Sequence, residues 1–337
     1  MISLKKTIMG FVGLAMSANA FCQSVEPTTL KDDNLKGNVL AVKFGTYEYK
    51  ENFGEPVAGN VKGSPVETIY DEQGRSVLRR TLWNGGSVAS AYSYYFKYED
   101  NGAKVKKYVV YGRGDSNKYQ PLSDVFSTVS AAYETLMSQG DFYPENNAVY
   151  EYDGSILISY TLNKGKTDAI EGKYVAKKQA DGSYKWTYYK GDGSSLDDGV
   201  ITYNKGIIAS MTAASEGGFA KKKAFDIPEP GTYTYDAKGC LIDHVLKAEA
   251  RKYTYNEKGD MTKMSKKVFK SWSDQYFYEN YVYDDHGNWI SRTRCSSPGK
   301  PNVYEKREII YADSKEDLAQ KSAALVQAVE PVIMKLF

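Results

Sequence analysis

Tyr281-Val282-Tyr283-Asp284-Asp285-His286-Gly287-Asn288-Trp289-Ile290-Ser291-Arg292 is the clearest copy of a unit that recurs along the chain. Tyrosines at alternate positions put two rings on one face of a strand. An Asp or Asn follows, whose side chain accepts a backbone N–H two residues on and opens a turn. Gly comes four residues after the second tyrosine, where a left-handed backbone closes the hairpin with a bulge. An alternating apolar run then returns as the partner strand. The unit therefore predicts one antiparallel hairpin.

Four further full copies precede it: Thr68-Ile-Tyr70-Asp71-Glu-Gln-Gly74, Phe96-Lys-Tyr98-Glu99-Asp-Asn-Gly102, Tyr233-Thr-Tyr235-Asp236-Ala-Lys-Gly239 and Tyr253-Thr-Tyr255-Asn256-Glu-Lys-Gly259. Shortened copies stand at Tyr150-Glu-Tyr152-Asp153-Gly154 and Tyr203-Asn204-Lys-Gly206, with a looser one at Asp181-Gly182. The expected fold is mainly β: a long twisted antiparallel sheet of tandem Tyr-rich hairpins, with one inserted and one C-terminal helix. The turn positions expected to hold it are Asp71, Gly74, Gly102, Asp236, Gly239, Gly259, Asp284 and Gly287.

The chain carries 30 Tyr against 12 Phe and 4 Trp in 337 residues. Tyrosine suits a half-buried pleated surface, with the ring packed and the hydroxyl wet, so little fully dry interior is expected. Ser123 opens a helical pattern to Gln139, with Val125, Phe126, Val129, Tyr133 and Leu136 on one face. A second helix is expected within residues 313–337, from about Ser314, with a stripe of Leu318, Leu325, Val329, Val332 and Leu336. Pro331 should kink or interrupt it, and the helix could cover a sheet edge. Residues 213–231 read as a loop.

Lys5 and Lys6, the apolar run Ile8 to Met16 and Ala18-Asn19-Ala20 form a signal-peptide pattern. Residues 1–20 are expected to be removed, leaving a β-repeat domain over 21–312. Phe21 is unsuited to a lipid attachment at Cys22. The 44 basic and 42 acidic side chains lose two lysines and no acid with that peptide, so the remainder is neutral. Neutrality disfavours nucleic acid, which calls for a basic excess. No stretch after the signal is apolar enough for a transmembrane helix. Cys240 and Cys295 could bridge in an oxidising compartment, although two separate core thiols are the simpler reading.

The repeats resemble the YD repeats of Rhs-like secreted and surface proteins of Bacteroidetes-type bacteria. The closing copy carries most of that likeness, followed as it is by Tyr304-Glu-Lys-Arg307-Glu308-Ile309-Ile-Tyr311. The resemblance implies an exported β protein of the periplasm or cell surface, and it implies no reaction.

Sites of chemistry are sparse. Of two histidines, His286 sits in a turn, and no metal, cofactor or catalytic pattern emerges. Asp192, Asp197 and Asp198 lack calcium-loop spacing, and Gly165-Lys166-Thr167 lacks the upstream glycine of a phosphate loop. Arg113-Gly114-Asp115 matches an integrin-read tripeptide, expected on an exposed loop. The remaining candidates are aromatic: Trp83, Trp186, Trp272 and Trp289, with Arg292, could bind a ligand if exposed. Trp289 could equally stack on Arg292 or Arg294 as a cation–π pair. The expected function is a non-enzymatic binding or scaffold protein of the cell envelope, with a glycan or an envelope protein as partner. An envelope assembly component and a hydrolase with a loop-built site remain alternatives.

Overall fold

The turns at Asp71, Asp236, Asn256 and Asp284 are built alike. In each, the side-chain Oδ1 accepts the backbone N–H groups two and four residues on, at 2.8–3.0 Å. The glycine N–H donates back to the carbonyl of the same Asp or Asn. Gly74, Gly239, Gly259 and Gly287 hold φ between +73° and +85°. The Gly102 turn differs: Asp100 and Asn101 are also left-handed, and the chain passes through a single 3-10 turn.

These turns belong to a computed structural model that describes residues 27–85, 88–115, 142–167, 169–214, 229–246, 249–268 and 271–337. The signal pattern, Cys22, the expected helix over 123–139 and most of the 213–231 loop lie outside them. Among the described residues there are nineteen strands: β1 (Val39–Asn52), β2 (Glu55–Val61), β3 (Val66–Tyr70), β4 (Ser76–Gly85), β5 (Val88–Glu99), β6 (Lys104–Asp115), β7 (Phe142–Asp153), β8 (Ile156–Lys164), β9 (Ile170–Lys178), β10 (Tyr184–Lys190), β11 (Ser195–Asn204), β12 (Ile207–Met211), β13 (Gly231–Tyr235), β14 (Leu241–Val245), β15 (Glu249–Tyr255), β16 (Met261–Val268), β17 (Ser271–Tyr283), β18 (Trp289–Ser297) and β19 (Lys300–Tyr311). Arg113, Gly114 and Asp115 lie in β6, paired with β5, and not on a loop.

The sheet is not open. From β3 to β19 each strand pairs antiparallel with the next, and β1 pairs with β19 on one side and β3 on the other. This closes an 18-strand antiparallel barrel. Strand β2 pairs with β1 beyond the ring, as the return arm of a hairpin. Closure leaves no edge for a terminal helix to cover, and it corrects the expectation of a long open sheet. Because strand directions alternate, all the repeat turns, from Gly74 through Gly154 and Gly206 to Gly287, fall at one end. The connections spanning 116–141 and 212–230 leave from the other.

Closure also decides what the tyrosines do. Tyr150, Tyr160, Tyr174 and Tyr188 form a continuous cross-strand row on the inner face, Tyr94 faces inward from β5, and all five are buried to within 1% of complete enclosure. Around this row the interior is a closely enclosed aromatic core, where a half-wet surface was expected. Burying rings of this size is the main source of stability in such a wall. The outer face alternates with it and is polar: Lys97, Lys106, Thr161, Lys173, Lys185, Lys252 and Thr254 all point outward. Barrels that span a membrane have the reverse arrangement, apolar outside and polar within.

Helix α1 (Lys315–Met334) starts at the N-cap Ser314, whose hydroxyl accepts from the Asp317 N–H at 3.0 Å. Leu318, Ser322, Leu325, Val329 and Ile333 form its buried stripe, and the helix runs on through Pro331. It packs on the outer face over Ala41, Ile69, Leu78, Tyr95 and Val110, with Lys97 pairing to Glu330 at 2.6 Å. The repeat-turn end is crossed by residues 28–38. Leu30 N–H donates to Gly74 O, the Asn34 amide donates to Asp260, and Asn288 exchanges two bonds with the Lys36 backbone. This strap ties the first repeat turn to the last two.

Candidate functional site

The closing repeat builds the most charged part of the inner wall. Strand β18 turns Arg292 and Arg294 inward, and β19 turns Glu305 and Arg307 inward beside them. Glu305 is fully buried. Arg292 Nε and Nη2 both reach Glu305 Oε2 at 2.6 Å, and Arg294 Nη1 stands 3.4 Å from Oε1. Arg292 also donates to the Tyr281 hydroxyl at 3.1 Å.

Trp289 is 3% exposed and lies between two guanidinium groups. Arg292 covers one approach at 4.3 Å from its ring and Arg307 another at 3.8 Å. Arg294 lies over Tyr276 instead, at 5.1 Å. The cation–π reading of Trp289 thus describes its place, while a ligand stacked on Trp289 would have to displace an arginine. Burial, together with the neighbouring Arg292 charge, pushes the Arg307 guanidinium down to about 10.

The other aromatic candidates separate by face. Trp186 is wholly enclosed, its indole N–H donating to Thr212 O at 2.9 Å. Trp83 sits in β4 opposite Ser90, and its side chain lies outside the described residues. Trp272 is outside and 43% exposed, across β16 from Lys267. Lys252 Nζ and Lys267 Nζ stand 5.1 and 6.0 Å from its ring centroid. Further along the same outer strip, Asp274 accepts from Ser265 and pairs with Lys263, which lies over Phe277. Of these candidates, the structure encloses Trp186 and Trp289 and leaves Trp272 exposed.

The remaining patterns fall into ordinary roles. His286 stacks on Tyr311 with ring centroids 4.0 Å apart. His244 is buried and stacks on Tyr233 at 4.2 Å; burial and the Arg251 charge hold it below the usual histidine range. Its Nε2 has no hydrogen-bond partner among the described residues. Asp192 caps its own turn through Ser194, and Asp197 is buried on the inner wall. Cys240 and Cys295 are free thiols. Arg307 was not singled out from sequence as a site residue, and it belongs to an alternating strand where facing follows from register alone.

No protein-family model matches the chain, and no curated protein matches it. Among solved structures it is similar to a porin-like protein from Bacteroides uniformis, at 11% identity and a TM-score of 0.32, over 82% of this chain and 98% of that one. It is also similar to part of a TcdB2-TccC3-Cdc42 complex, at 11% identity and a TM-score of 0.22, over 69% of this chain and 13% of that one. At these scores neither similarity bears on what this chain does.

Proposed function

We propose that the protein is an exported, non-enzymatic binding barrel of the bacterial cell envelope that holds a glycan on the outer strip around Trp272. The observation that carries this reading is the exposed Trp272 ring flanked by Lys252 and Lys267. An exposed indole stacks on the C–H face of a sugar ring, and flanking amines donate to hydroxyl or acidic substituents. The polar outer wall suits a barrel surrounded by water. The likeness of its units to YD repeats supports an extracytoplasmic setting. A glycan array probed with the protein and with Trp272→Ala tests the reading. Binding lost in that variant is expected, and equal binding by both proteins would refute it.

One observation favours an envelope protein as a second partner. Phe53 is 100% exposed at the tip of the β1–β2 hairpin and holds a left-handed φ of +51°. A bulky residue in that conformation is unusual, and an exposed aromatic at a hairpin tip suits insertion into a protein pocket.

A further inference from the structure

The outer strip around Trp272 carries a second aromatic–lysine pair. Strand register sets Lys267 directly opposite Trp272 and Lys263 directly opposite Phe277, all four on the outer face of β16 and β17. Phe277 is half-buried, and Lys263 Nζ stands 5.3 Å from its ring centroid. Along β16 the step from Lys263 to Lys267 sets the two pairs about 13 Å apart. A single pyranose cannot cover both rings, whereas a short linear oligosaccharide can.

The two ends differ in charge. At the Phe277 end, Lys263 pairs with Asp274 at 2.9 Å, and the Ser265 hydroxyl donates to the same carboxylate at 2.6 Å. That end is neutral and presents a carboxylate to sugar hydroxyls. At the Trp272 end, Lys252 Nζ and Lys267 Nζ lie 5.1 and 6.0 Å from the ring centroid. Neither lysine forms an ion pair among the described residues. Asp243 stands opposite Lys252 across β14 and β15 without reaching ion-pair distance.

Resting on the reading of this strip as a glycan site, we infer that its ligand is an acidic oligosaccharide. A carboxylate- or sulfate-bearing sugar stacks on Trp272 with its anionic group between Lys252 and Lys267. A neutral sugar of the same chain reaches Phe277 and donates its hydroxyls to Asp274. Two uncompensated amines beside an exposed indole are met by such an anion through charge-assisted hydrogen bonds. Lysine is a compact charge with rotatable donors and sets no fixed fork geometry, so it accepts either kind of acid group. The strip faces water, so the charge contributes selectivity and a salt dependence, while ring stacking supplies the larger share of affinity.

The test is calorimetric titration of the full protein with a galacturonate pentamer, a sulfated galactan oligomer of similar length, cellopentaose, monomeric galacturonate and polyglutamate. At least one acidic oligomer should bind about tenfold tighter than cellopentaose, and the difference should shrink as salt is raised. The acidic oligomer preferred distinguishes a carboxylate from a sulfate source. Lys252→Gln combined with Lys267→Gln should remove the preference and leave cellopentaose affinity unchanged. Phe277→Ala, shown to be folded by circular dichroism, should weaken the oligomer several-fold and leave the monomer unaffected. Equal affinity for acidic and neutral oligomers, both lost in Trp272→Ala, would overturn the acid assignment and keep the glycan site. Polyglutamate bound as tightly as the acidic glycans would overturn it as well, since charge alone would then account for binding. Failure of every glycan to bind would remove the glycan reading and this inference together.

Discussion

The Tyr98 hydroxyl donates to the Ser76 carbonyl at 2.8 Å, joining the second tyrosine of one repeat to the residue two past the turn glycine of the repeat before it. Tyr255 makes the same bond to Leu241 O at 2.8 Å, and in the closing repeat the first tyrosine, Tyr281, donates to the corresponding carbonyl, Met261 O. The hydroxyl thus serves as a clasp between neighbouring hairpins. Tyr98→Phe and Tyr255→Phe should each destabilise by about 1–2 kcal/mol, because each leaves a carbonyl unpaired while keeping the ring. Urea denaturation measures it, and a change near zero would show that water replaces the clasp freely.

The turn glycines should differ in a defined way. A Cβ at Gly239 meets nothing within 4 Å, so Gly239→Ala tests backbone strain alone, about 1–2 kcal/mol. At Gly74 the added Cβ would stand 3.2 Å from Leu30 of the strap. Gly74→Ala should therefore cost more than Gly239→Ala in the same melt, and should also loosen the strap in hydrogen exchange at Leu30.

Two groups should move stability in opposite directions with pH. Burial raises Asp32 from 3.8 to about 6, so the fold favours its protonated form. Its contribution is present below pH 3.8 and is lost as pH rises through about 6. Asp32→Asn should stabilise the protein at pH 7.5 and do little at pH 4, as read from melting temperature. His244 is lowered by burial and Arg251, with Glu229, Glu249 and Asp243 opposing, so the fold favours its neutral form. That contribution is present above the unfolded histidine value of about 6.5 and is lost as pH falls through the depressed folded value. His244→Phe, which keeps the stack on Tyr233, should flatten the acid side of the profile.

The tryptophans should divide by face. Trp289→Ala removes a buried ring and leaves Arg292 and Arg307 unsupported, for a loss of about 3–5 kcal/mol. Trp272→Ala should change stability by less than about 1 kcal/mol while abolishing glycan binding. Comparable destabilisation by both substitutions would mean that the Trp272 ring is structural as well.

Glu305→Gln leaves Arg292 and Arg294 without their shared carboxylate inside the barrel. A loss of about 3–5 kcal/mol is expected, as for removing one partner of a buried ion pair.

The sequence by itself determined the hairpins and the terminal helix. Each repeat turn depends on contacts within five residues, from Asp or Asn Oδ1 to the N–H groups just ahead and from the left-handed glycine, so its chemistry is fully written in the local order. The helix is similarly local, with Ser314 as cap and Leu318, Leu325 and Val329 as stripe. Only the tertiary structure decided that the sheet closes, because closure rests on β1 lying between β19 and β3, strands from opposite ends of the chain. Backbone ladders pair any two strands of suitable length, and no residue pattern in either names its partner. Once the ring closes, alternation converts one tyrosine face into an enclosed core and turns the other to water. That step put Trp186 and Trp289 inside, left Trp272 outside, and set Arg292, Arg294, Glu305 and Arg307 beside one another on the inner wall. A side chain's face follows from strand register, and register across the ring is fixed by the sum of the buried aromatic contacts, which no single repeat contains.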